Sequence, residues 1–165
     1  MRLEVDVVRH GEEWSHAAVT DAMLKRGARA ALLSAPPEAQ GGYQVTILLT
    51  DDAEIKELNR TWRGKDAPTN VLSFPGGDDP TDPRLLGDLV LAYETILQEA
   101  RDSGIRFADH VQHLVVHGLL HLLGFDHMND EEAERMENLE RTALASIGIA
   151  DPYAEERARP AEVSP

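Results

Sequence analysis

Residues 3–8 (LEVDVV) alternate apolar and polar side chains, the period-two pattern of a half-buried strand. From residue 14 to residue 33, apolar side chains recur at helical spacing, at Ala18, Ala22, Leu24, Ala28 and Leu32, which predicts a helix. The run 34–42 (SAPPEAQGG) is loop punctuation, and 43–49 (YQVTILL), rich in β-branched residues, predicts a second strand. Thr50 or Asp51 can cap the helix that follows, with Glu54 placed for a capping box. A short apolar run at 71–74, closed by Pro75, predicts a third strand, 76–84 (GGDDPTDPR) a loop, and 89–92 a fourth strand. Helices are expected at 95–103, stopped by Gly104, and at 106–123, stopped by Gly124. A last helix runs from near Asn129 to about residue 147, with Glu131 and Arg135, and Glu137 and Arg141, spaced as i, i+4 pairs.

Strands and helices alternate early and helices dominate late, with no internal repeat and no linker long enough to separate a pair of domains. The expectation is an α+β fold: a single small domain over 1–150, with a mixed four-stranded sheet packed with about five helices. Residues 151–165 are expected to form a disordered tail.

Composition narrows the chemistry. Among 165 residues there is no cysteine, so there is no disulfide framework, no thiol nucleophile and no thiolate zinc ligand. Any metal must be held by nitrogen and oxygen. Residues 1–14 mix charged residues through the apolar ones, unlike a signal peptide, and the longest uncharged stretch, 114–125, is shorter than the roughly 18 residues a membrane span needs. A cytoplasmic location is the expectation. With 16 basic and 30 acidic side chains the net charge is -14, which disfavours a generic nucleic-acid coat. Against that background 58–66 (LNRTWRGKD) is a small basic island, Arg60, Arg63 and Lys65 around the aromatic Trp62.

Five of the seven histidines fall between His110 and His127. His117 and His121, four apart, share one face of the predicted helix and lie about a turn apart, so both rings can reach one ion. Gly124 can take the left-handed conformation that ends the helix and folds the chain back, returning His127 to the other two. Three neutral nitrogen ligands with one position open to water form the pattern of a catalytic zinc, whose water has its pKa lowered toward about 7. Nickel or cobalt suits the same imidazoles. The site is thus expected at the end of a buried helix, since Leu114, Val115, Val116, Leu119, Leu120, Leu122 and Leu123 make it apolar nearly all round. His110 and His113 continue the stripe toward the helix start, as cleft-lining or structural residues. Asp109 and Asp126 are candidate outer acceptors for the imidazole N–H groups.

The spacing resembles the metzincin peptidase signature H-E-x-x-H-x-x-G-x-x-H, except that the general-base Glu is replaced by Gly118. A peptidase lacking that base has no proton acceptor beside the metal. The likeness therefore supports a metal site better than it supports proteolysis.

Three blocks in order, 62–75 (WRGKDAPTNVLSFP), 86–91 (LGDLVL) and 113–127 (HLVVHGLLHLLGFDH), resemble the YbeY family of bacterial rRNA maturation factors, across about residues 43–145. Trp62 and Phe125 stand where members of that family often have Tyr. The resemblance implies a single-strand-specific endoribonuclease, with zinc on His117, His121 and His127, acting in rRNA 3' end maturation and ribosome quality control. It matches the family's important arginine to Arg63, and a guanidinium suits bidentate contact with a phosphodiester. Arg60 and Lys65 are candidate substrate contacts. The expected partners are single-stranded rRNA and the small ribosomal subunit or a ribosomal protein, with no membrane. The alternatives are a metallopeptidase or other zinc hydrolase, and a ribosome-assembly factor with a structural metal. An open fourth position argues against the last, because structural zinc sites are normally closed by four protein ligands.

Overall fold

The computed structural model describes residues 2–38, 41–76 and 84–154. Four strands, β1 (Arg2–Arg9), β2 (Gly42–Thr50), β3 (Val71–Pro75) and β4 (Leu85–Ala92), form one sheet in the order β1-β2-β4-β3. The β1, β2 and β4 strands run parallel, and β3 is an antiparallel edge. Around the sheet lie α1 (Glu13–His16), α2 (Asp21–Ser34), α3 (Asp52–Arg63), α4 (Tyr93–Ser103), α5 (Phe107–Leu122) and α6 (Asp130–Ser146). This is the α+β single domain expected from the sequence.

The alternation of side chains along the strands splits the core in two. Val45, Ile47, Leu49, Leu89 and Leu91 point to one face and pack with the buried residues of α2, α5 and α6. On the other face, Leu72, Val90 and Ala92 meet Ile55 of α3. Between the sheet and its sister helices, α5 buries Val111, Leu114, Val115, Val116, Leu119 and Leu120. Each such side chain contributes roughly 1.5–3 kcal/mol relative to exposure. What remains of its circumference is one half-buried stripe, His110, His113, His117 and His121.

Local chemistry explains where the elements depart from expectation. The single helix expected over 14–33 is two, because the chain is extended at Ala17 and restarts at Thr20, whose side chain accepts from Met23 N–H. The break lets Trp14 turn inward to 1% exposure, where its indole N–H donates to the Thr50 carbonyl (2.8 Å) and its ring contacts Tyr93 and Phe107. The fourth strand starts at Leu85, earlier than expected. Gly87 permits this: at φ +138° it runs so close to β3 that a Cβ would collide with the Phe74 carbonyl. At the start of α3, Asp51 is the cap, accepting from Glu54 N–H at 2.8 Å, while the Glu54 carboxylate binds the Thr50 hydroxyl and His10. In α6, Arg141 turns to Asn138 instead of Glu137.

Residues 39–40 of the first expected loop, 77–83 of the second and 155–165 of the expected disordered tail lie outside the described residues. The tail's first four residues, 151–154, form a turn that carries Tyr153 back onto α5 and α6. No helix among the described residues is long and apolar enough to cross a membrane.

Candidate metal centre

Successive turns of α5 present His117 and His121, and the helix ends as its glycine suggests. Gly124 adopts φ +100°, with Phe125 N–H reaching the Leu120 carbonyl at 3.0 Å and Gly124 N–H reaching that of His121 at 3.0 Å. That reversal brings His127 over the other two rings, with centroids 5.2 Å from His121 and 5.9 Å from His117. One nitrogen from each of the three lies within 4.8 Å of the others.

Hydrogen bonding decides which nitrogens carry protons. His121 Nδ1 is 2.9 Å from the Phe125 carbonyl, an oxygen that only accepts, so the proton sits on Nδ1. His117 Nδ1 is 3.0 Å from Glu140 Oε1, and an ionised carboxylate likewise only accepts. Both Nε2 atoms therefore carry lone pairs, and they face each other at 3.1 Å. Two lone pairs at that distance repel unless a cation joins them. The donor set fits a divalent metal such as zinc, which takes imidazole nitrogen at about 2.0–2.1 Å. Burial, and then the neighbouring His117, lower the pKa of His121, which keeps its ring neutral and able to ligate.

Glu140 is the residue the sequence reading missed. It projects from α6 with its side chain 1% exposed, and its Oε1 accepts from His113 Nε2 at 2.8 Å as well as from His117. Burial works against its charge, but the hydrogen bonds from His113 and His117 outweigh that and hold its pKa at about 2.

A groove of about 820 Å³ opens over the three histidines. Arg63 and Lys65 line it beside His117, His121 and His127, along with β3 residues and the exposed Met128. The Arg63 guanidinium donates to the Ser73 carbonyl and lies 5.3 Å from the centre of the Phe74 ring, so it is held at the groove wall. Arg60 falls outside this lining and pairs with Glu57 at 2.6 Å. Asp126 lines the groove and accepts the His127 backbone N–H at 2.8 Å. Asp109 stays in the first turn of α5, and the N–H groups of His117 and His121 go to Glu140 and Phe125 instead. His110 binds Glu99 at 2.8 Å, and its pKa is lowered by burial.

The position that carries the base in a metzincin faces the sheet here. A Cβ on Gly118 would lie 2.8 Å from Leu89 Cδ2 and 3.2 Å from Ser73 Oγ, and Ser73 itself donates to the Gly118 carbonyl at 3.2 Å. Gly118→Glu is expected to destabilise the fold by about 3 kcal/mol or more, because it buries an unpaired carboxylate against an apolar sheet. Denaturant unfolding checks this. A midpoint close to that of the unmutated protein would show room for a base at this position.

A family profile described as Endoribonuclease YbeY matches residues 11–148. A relative named Endoribonuclease YbeY from Paramagnetospirillum magneticum is 53% identical over 150 residues, covering 87% of this chain and 91% of its own. One of the same name from Azorhizobium caulinodans is 49% identical, covering 92% and 97% respectively. A solution structure of a Thermotoga maritima protein superposes with a TM-score of 0.55 at 20% identity, over 98% of this chain and 99% of that one, and so shares the fold. With its three-histidine centre and this extent of similarity, the chain belongs to the YbeY family of endoribonucleases.

Proposed function

We propose that this protein is a zinc-dependent, single-strand-specific endoribonuclease of the cytoplasm that acts in rRNA 3' end maturation and ribosome quality control. The observation that carries the reading is the pair of inward-facing Nε2 lone pairs on His117 and His121, joined by His127, at the floor of a groove with Arg63 and Lys65 on its wall. His117, His121 and His127 would hold the ion and leave a coordination position for substrate. Zinc bound there supplies Lewis acidity toward water and toward a phosphoryl oxygen. Nickel or cobalt meets the same donor requirement.

Arg63 has the fork geometry to hold a phosphodiester by two parallel N–H donors and to offset charge that builds on its oxygens. Lys65 adds a point charge on the same wall. Arg60, paired with Glu57, contributes less to the phosphate path than the sequence alone suggests. The net charge of -14 works against long-range capture of RNA, so delivery by the small ribosomal subunit or a ribosomal protein suits this chain better than unaided search. The peptidase alternative is weakened by Gly118, whose place against Leu89 offers no position for a base.

The test compares matched single-stranded and duplex RNA over a series of salt concentrations. Two phosphate contacts predict that log affinity for single strands falls with log salt at a slope of about -1.4, at roughly -0.7 per contact. Duplex RNA should be cut far more slowly. Equal cutting of both forms, or binding indifferent to salt, would contradict the reading.

A further inference from the structure

The histidine stripe does not end at the metal ligands. Below them a hollow of about 430 Å³ meets the groove at Asn70 and His117, and it is lined by Glu99, His110, His113 and Tyr153. At its back Glu140 gathers three donors. His113 Nε2 and His117 Nδ1 converge on the same oxygen, Oε1, at 2.8 and 3.0 Å, and the Tyr153 hydroxyl reaches Oε1 at 3.1 Å and Oε2 at 3.0 Å. The Tyr153 ring meets that of His113 edge-on at 5.6 Å.

A bare buried carboxylate would be costly, and the other acids of α6 are exposed or half-buried, none of them buried as Glu140 is. Glu140 instead sits on the apolar face of α6 among Met136, Ala143 and Leu144, all buried. Only one of its three partners is a metal ligand. The other two, from α5 and from the turn at 151–154, fix the carboxylate itself.

We infer that Glu140 is the positioning residue of the metal centre, and that His113 and Tyr153 hold it so that it fixes the ring and tautomer of His117. The physical reason lies in the imidazole. Free neutral histidine exchanges its proton between Nδ1 and Nε2, and only the Nδ1–H form offers a lone pair to an ion on the Nε2 side. Glu140 removes that choice before any ion arrives, which lowers the ordering cost of binding and makes the ligand nitrogen more basic. Through Tyr153, a residue beyond the end of the family match at residue 148 takes part in setting the affinity of the site.

This inference rests on the proposed metal centre, and the experiment separates the two. Long-range proton–nitrogen NMR on the metal-free, unmutated protein should show His117 as the Nδ1–H tautomer. The Nε2–H form there would overturn the inference without any substitution. Zinc affinity, read by competition with a chromophoric chelator, should fall about 10–100-fold in Glu140→Leu, which fills the space but accepts nothing. Glu140→Gln should recover most of that loss, since both imidazole bonds converge on one oxygen that the amide retains. Packing alone would predict the reverse order, with Leu close to the unmutated protein, and that result would overturn the inference. If Glu140→Leu does not fold, Tyr153→Phe decides: loss of one hydrogen bond should weaken zinc about fivefold, and unchanged affinity would overturn the role given to it. An unmutated protein that binds no zinc would sink the metal reading as well.

Discussion

Replacing His121 with alanine is expected to lower zinc affinity by more than about 100-fold and RNA cleavage by about 1,000-fold or more. Partners outside the ligand set already account for 10–100-fold in comparable sites, so a ligand must account for more. His121 lies nearest to both other rings, 4.6 Å from His117 and 5.2 Å from His127 between centroids, so its loss leaves two imidazoles where three enclosed the ion position. The fold should survive. His121 is half-buried at the groove, and the Phe125 carbonyl it leaves can take water. Elemental analysis after gel filtration, beside a cleavage assay, checks both halves. A variant that loses its metal yet cuts RNA at full rate would show that the metal has no role in the chemistry.

The second large effect belongs to Arg63. Arg63→Ala should leave zinc content unchanged and reduce the cleavage rate about 100–1,000-fold, the range typical when one charge-stabilising donor is lost from a reaction centre. Arg63→Lys should recover only a fraction of this, because an ammonium cannot make the paired contact and does not stack as a guanidinium does on Phe74. Its side chain lies at the C-terminal end of α3, where Gly64 at φ +70° ends the helix. Losing it should therefore cost little stability. A rate near that of the unmutated protein, with zinc bound, would remove Arg63 from the mechanism.

The features of this site written in local spacing were legible in the sequence. His117 and His121 one turn apart, Gly124 as the stop and His127 after the reversal all follow from helix geometry and from glycine's access to positive φ. The alternating pattern of β1 and the β-branched run of β2 were equally plain. The residues that were missed depend on contacts distant in sequence. Glu140 lies in a helix with Glu131, Glu132, Glu134 and Glu137, and a run of acids reads as a solvated face. Its signal was position, since it shares a stripe with Met136, Ala143 and Leu144, and a charge on an apolar face asks for a partner. The break at Ala17–Thr20 was hidden for the opposite reason. Apolar spacing ran straight through Thr20, although a threonine followed by Asp21 is also a helix start. Composition and spacing put Arg60 and Arg63 in one basic island, and only the structure shows that Glu57 one turn back claims the first while the Ser73 carbonyl holds the second at the groove.

Metal dependence is measured as cleavage of an end-labelled, single-stranded rRNA 3' fragment by zinc-loaded, chelator-stripped and reloaded protein, with His121→Ala and Arg63→Ala run beside it to expose contaminating nucleases. Cutting by the loaded protein, lost on stripping, regained on reloading and reduced about 100-fold or more in both variants, is the predicted result. Cutting at one rate in all five samples, or in none, would contradict a metal-dependent nuclease built on these residues.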